Sequence, residues 1–152
     1  MNIRKSLAAA GTLAAALALT FTTAGSAGAA GLGHEFWNSD DRYPGSAYFV
    51  LKNDSREAGR VYWIADPGHF GRNFGDSVYV SDTRSDGYSV RGQAKTIEGG
   101  KMLWNASTAG KTAPASARST DNVKEGTYIF FRGCLEKKGV SYGCTPWRVG
   151  RA

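Results

Sequence analysis

The chain has 152 residues with 19 Lys and Arg against 13 Asp and Glu, a formal net charge of +6, four tryptophans, two histidines and two cysteines. That length suits one domain. For the cysteine pair, Cys134 and Cys144, the alternative to a disulfide is a pair of metal-binding thiolates, and that alternative lacks nearby partners, since the only histidines are His34 and His69.

The chain opens on a segment that reads as a secretory leader. Arg4 and Lys5 give a positive start, Leu7 to Phe21 carries no charge, and Ala27-Gly28-Ala29 has the small-x-small pattern of a cleavage site. The apolar run is shorter than the ~20 residues a bilayer requires. Residues 1–29 are therefore expected to be a cleaved signal peptide, with no transmembrane anchor and no cysteine near the cut to accept a lipid. The mature protein would be secreted and extracellular. In that oxidising compartment Cys134 and Cys144 read most simply as one disulfide.

Residues 30–45, with Asn38, Asp40, Asp41 and Pro44, read as an N-terminal arm or loop, and residues 46–152 as the folded domain. Short runs rich in β-branched and aromatic residues follow at Ala47–Leu51, Arg60–Ala65, Ser77–Ser81, Tyr88–Lys95, Lys101–Asn105, Thr127–Leu135 and Val140–Tyr142. No stretch sustains a helical period. Asn53-Asp54-Ser55, Asp66-Pro67-Gly68 and Glu98-Gly99-Gly100 have turn chemistry, and Asp86-Gly87 between two alternating runs predicts a tight hairpin. Thr108–Asn122, rich in Ala, Ser and Thr, reads as a long connection. About seven short strands predict an all-β fold, a single antiparallel, immunoglobulin-like β-sandwich. The Tyr128-Ile129-Phe130-Phe131 run predicts a central strand that is covered on both faces or carries an exposed aromatic row on one.

Catalytic patterns are lacking. Asp82-Thr83-Arg84-Ser85-Asp86-Gly87 resembles a calcium loop until its third position, where Arg84 repels a cation, and its twelfth, where Gln93 replaces a bidentate Glu. His69 sits between glycines, and there is no Gly-x-Ser-x-Gly elbow for a nucleophile. Glu57, Glu98, Glu125 and Glu136 lie mostly among turn residues, where solvated positions are expected. No catalytic residue, metal or cofactor is assigned. An enzyme would have to assemble its site from residues distant in sequence.

Charge is uneven. Residues 30–90 carry 6 basic and 9 acidic side chains, and residues 91–152 carry 11 and 4. Strands from both halves interleaved in one sandwich would average this out, and that is the plain expectation. Lys137, Lys138, Trp147, Arg148 and Arg151 surround the cysteine pair. If the disulfide folds the last hairpin back they would converge on a cationic surface with one aromatic, suited to an anionic cell-wall polymer or extracellular DNA. Core packing is expected for Trp63 and Phe130. The surplus of aromatic and basic residues points to a non-catalytic binding module with an anionic polymer or a protein as partner. The alternative is an inhibitor of another protein that presents the Cys134–Cys144 hairpin.

From Gly75 on, Gly75-Asp76-x-Val78-x-Val80-x-Asp82, then Asp86-Gly87-x-x-Val90, then Glu125-Gly126-Thr127 leading to Arg132-x-Cys134-Leu135 and Cys144, resembles small secreted proteins of Streptomyces-type bacteria. The resemblance spans about half of the mature chain. It implies a secreted one-domain β-sandwich and offers no mechanism, because no activity is established for that group. Some members carry a second cysteine pair, which this chain lacks.

Overall fold

The computed structural model describes residues 32–38, 42–98 and 100–152, so the expected signal peptide lies outside the described residues. Ten strands form two antiparallel sheets: β1 (Leu32–Asn38), β2 (Ala47–Asn53), β3 (Arg56–Ile64), β4 (Ser77–Asp82), β5 (Ser89–Thr96), β6 (Met102–Ser107), β7 (Ala115–Thr120), β8 (Tyr128–Lys137), β9 (Val140–Cys144) and β10 (Arg148–Arg151). The first sheet runs β1-β2-β3-β4-β7 and the second β10-β8-β5-β6, with β9 also on β8. The all-β sandwich is present, with ten strands where about seven were expected. The chain stays in the first sheet for four strands, whereas an immunoglobulin domain splits its early strands between sheets.

Period-2 alternation drives the layering. Phe49, Val61, Trp63, Val78 and Val80 from the first sheet meet Val90, Ala94, Trp104, Ile129 and Phe131 from the second, all within 1% of full burial. Trp63 and Trp104 meet edge to face across the sandwich, centroids 5.1 Å apart at 79°, a favoured aromatic geometry. Their indole N–H groups bond in opposite directions. Trp63 on β3 donates to the Arg151 carbonyl on β10 at 3.1 Å, and Trp104 on β6 donates to the Asp76 carbonyl just before β4 at 2.8 Å. Each tryptophan thus satisfies its polar atom on the sheet it faces.

Two glycines make this close approach possible. A Cβ on Gly150 would lie 2.4 Å from Trp63 Cδ1, and one on Gly92 would lie 2.5 and 2.7 Å from methyl carbons of Val78 and Val80.

Four segments differ from the sequence expectation. The expected arm contains β1, which pairs with β2 from Leu32↔Asn53 to Asn38↔Ala47; its Leu32 and Phe36 pack on the core, a short alternation hidden among polar neighbours. The expected long connection contains β7, which covers the free edge of β4 from Ser77↔Thr120 to Asp82↔Ala115. Its Ala, Ser and Thr side chains give no apolar signal. The last residues form β10 on β8.

Asp86-Gly87 does not turn a hairpin. β4 and β5 lie in different sheets, so residues 83–88 cross the sandwich. Both runs alternate because Val78 and Val80 face Val90 and Ala94 across the core. The crossover is held by its own polar groups: Arg84 N–H donates to Asp82 Oδ1, Tyr88 N–H to Asp86 Oδ1, and the Asn53 amide to Asp86 Oδ2.

Gly92→Ala is expected to cost about 1–3 kcal/mol through overpacking. Urea unfolding would show a lower midpoint at an unchanged m-value, and an unchanged midpoint would contradict this packing.

Candidate functional site

The two sheets have different electrostatics. Strands of the first carry Lys52, Arg56, Arg60 and Arg118 against Glu35, Glu57 and Asp82, a net of +1. Strands of the second carry Arg91, Lys95, Arg132, Lys137, Arg148 and Arg151 against Glu136 alone, a net of +5. The expected interleaving of the two halves is not found. Residues up to 82 stay in the first sheet and only β7 returns to it, so the asymmetry along the chain becomes an asymmetry between faces.

Pairing sharpens the contrast. On the first sheet Lys52 pairs with Glu35 and Arg60 with Glu57. Glu136, expected to be solvated, is fully buried. One carboxylate oxygen lies 2.8 Å from Arg91 Nε and the other accepts from the Ser107 hydroxyl at 2.9 Å. The single acid on the second sheet is thereby used up. Lys95, Arg132, Arg148 and Arg151 have no described carboxylate within 4.0 Å.

The expected cluster divides. Lys137 sits nine residues along β8 from Tyr128, the partner of Arg151, about 30 Å at the rise of a strand. Lys137, whose ammonium lies 5.1 Å from the Tyr88 ring centroid, and Lys138 occupy the hairpin tip. Arg148 lies over Phe36, 5.3 Å from its centroid, toward the first sheet. Trp147 and Arg151 remain on the outer face of the second sheet. Between Cys144↔Cys134 and Arg148↔Phe131, three residues oppose two, a bulge that re-aims a side chain. Here Trp147 lies against Arg132 and Lys95, whose charged atoms are 4.5 and 4.9 Å from its ring centroid.

Register lines the face up in rows. Arg151 pairs with Tyr128, whose carbonyl accepts from Ile97 N–H. Val149 pairs with Phe130, Phe130 with Lys95 and Lys95 with Met102. Arg132 pairs with Gln93 and donates to its side-chain carbonyl at 2.9 Å. Tyr128 (57% exposed), Ile97, Met102 and Val149 are open to solvent. β8 is therefore central with an aromatic row exposed on one face, and Phe130 belongs to that face while Trp63 is in the core. Lys95 and Arg132 escaped the sequence reading because nothing along the chain links them to Trp147.

The first sheet also carries an aromatic row. Trp37, Tyr48, Tyr62, Tyr79 and Arg118 are successive cross-strand partners over all five strands. Trp37 and Tyr48 are 9° from parallel and Tyr48 and Tyr62 27°, so these rings stand against one another. Phe70, from the loop after β3, packs on Tyr48 and Tyr62. Trp37, at the edge of the row, stays exposed.

His69 and Asp82 both have polar partners within the fold. Ser46 Oγ lies 2.6 Å from His69 Nδ1, and Asp66 lies 4.0 Å from Nε2. Ser46 is fully buried and its Oγ accepts from Ala65 N–H at 2.8 Å, so this serine is closed to a substrate. A groove of about 320 Å³ is lined by Asp82, Arg84, Ser85 and Lys111 among others. Burial raises the Asp82 pKa above its ordinary value, against the hydrogen bonds from Arg84 N–H and the Thr108 hydroxyl. One oxygen of Asp82 thus serves the crossover and the other the segment after β6. Among the described residues no group of three His, Cys, Asp or Glu could hold a metal, and no helix is long and apolar enough to cross a membrane. Cys134 and Cys144 form a disulfide between directly paired positions of β8 and β9.

No protein-family model matches the chain, and no curated protein or solved structure does so either.

A carboxyl whose pKa is raised by folding holds its proton longer in the native state, so stability falls as pH rises from about its ordinary 3.8 through the native value. Asp82→Asn removes this titration. The melting temperature of the wild type relative to the variant should fall as pH increases across that window, and a difference that rises with pH would contradict the assignment. Glu136→Ala should cost about 1–3 kcal/mol, because Arg91 loses its partner; chemical denaturation measures it.

Proposed function

We propose that this protein is a secreted, non-catalytic binding module that holds an anionic polymer outside the cytoplasm through the outer face of its second sheet. The carrying observation is Trp147 set beside Lys95 and Arg132, cations that no described carboxylate neutralises. Unpaired cations on a face attract a polyanion over roughly a Debye length. Tyr128, Phe130 and Trp147 on the same face add apolar contact area.

A second reading has its own support. The β8–β9 hairpin exposes Val140 at 69% and Tyr142 at 51% on a loop braced by the Cys134–Cys144 disulfide. A rigid loop loses little entropy on docking, which suits an inhibitor of another protein.

Isolated bacterial cell walls, which carry anionic polymers, provide the test. The protein is expected to be retained at about 0.01 M salt, where the screening length is ~30 Å, and released at about 1 M, where it is ~3 Å. A Lys95→Gln/Arg132→Gln variant should be retained poorly at low salt. Retention that survives high salt, or a variant that binds as the wild type does, would refute the electrostatic face.

A further inference from the structure

The same face narrows the polymer's chemistry, an inference that rests on the binding role just proposed. Three cations with no described carboxylate within 4.0 Å stand on successive rows along β8: Arg151 beside Tyr128, Lys95 beside Phe130, and Arg132 itself, although Glu98 and Glu125 line the groove beside Tyr128. Alternate residues of a strand are about 6.8 Å apart. The three cations sit on three neighbouring strands, β10, β8 and β5, each about 4.8 Å from the next, so they form a staggered track rather than a line, and the phosphates of a flexible extended chain with six bonds per repeat can reach them in turn.

Apolar groups sit between the charges. Tyr128 is 57% exposed, Ile97 45%, Val149 44% and Met102 38%. The Arg151 guanidinium carbon lies over the Tyr128 ring, 5.9 Å from its centroid, and the exposure of Tyr128 leaves ring surface for a planar partner. A polyol-phosphate wall chain has nothing apolar to cover these side chains. A lipid surface would have to bury Lys95, which lies between Phe130 and Met102, and a charge in hydrocarbon is costly. Nucleobases fit both requirements, because they stack on aromatic faces whatever their sequence while the backbone follows a cationic track.

We infer that the outer face of the second sheet binds single-stranded nucleic acid, with the phosphates on Arg151, Lys95 and Arg132 and a base on Tyr128. Recognition is by backbone charge and stacking, without a sequence code.

The probe is a fluorescent oligothymidylate titrated with the purified protein by anisotropy over a range of salt, with inorganic polyphosphate as competitor. Three phosphate contacts predict a log–log salt slope of about −2, from ~0.7 per phosphate for a single strand. Lys95→Gln/Arg132→Gln should reduce the slope to about −0.7. Tyr128→Ala should weaken binding roughly 5- to 150-fold, the range for one base–aromatic stack, with the slope unchanged. Lys137→Gln/Lys138→Gln, at the far hairpin tip, should bind as the wild type. All three variants change exposed or half-exposed side chains, and thermal melts identify any that fails to fold.

Absence of oligonucleotide binding overturns the inference. So does polyphosphate that competes as well as the oligonucleotide while Tyr128→Ala has no effect. If either result comes with cell-wall retention that still depends on Lys95 and Arg132, the nucleic-acid assignment alone is lost. If neither ligand responds to those two residues, the binding face is lost as well.

Discussion

The contact between Trp63 and Trp104 is the constraint on which the rest of the molecule depends. The two rings fill the centre of the sandwich, and each sends its one polar atom to the backbone of the opposite sheet. A buried indole N–H without a partner would cost on the order of 1–3 kcal/mol, so the backbone around each acceptor is held in place. For Trp63 that acceptor is Arg151. The bond, together with Gly150 yielding its Cβ space, places β10 against β8. With β10 fixed, Arg151 reaches the outer face beside Tyr128, and the bulge before β10 sets Trp147 against Arg132 and Lys95.

Charge follows topology. A chain that completes four strands of one sheet before it begins the other keeps its two halves on separate layers. The acids of the first sheet then find cations beside them, while the second sheet holds one acid and buries it. A buried ion pair adds little net stability, because desolvation offsets attraction. Its consequence here is that Glu136 neutralises Arg91 and leaves three other cations on the face without a carboxylate partner. The two aromatic rows differ for a related reason. On the first sheet the aromatics are cross-strand neighbours and pack on one another, whereas on the second it is cations that lie over the rings, Lys95 and Arg132 on Trp147 and Arg151 on Tyr128.

Much of the β architecture was legible from residue types alone. The runs around Val61-Tyr62-Trp63-Ile64 and Tyr128–Leu135 are too apolar and too β-branched or aromatic to be loops, and the cysteine pair could close only on itself. β1 and β7 were not legible, because their partners lie elsewhere and their own side chains are small, polar or mixed. Asp86-Gly87 misled for a physical reason: alternation states that a strand has one buried face, and two strands facing each other across a core alternate just as two strands in a hairpin do.

The sequence by itself determined the fold class, the single disulfide and the excess of cations in the second half of the chain. These follow from composition, spacing and local conformational preference. Which cations share a surface was decided only by the tertiary structure. Lys95, Arg132, Trp147 and Arg151 lie up to 56 residues apart and meet through strand register, while Lys137 and Lys138, neighbours of Trp147 in sequence, are carried away by the length of β8. Register is set by the whole set of inward-facing side chains at once, since a slip of one residue would turn every one of them outward, and no local stretch of sequence contains that information.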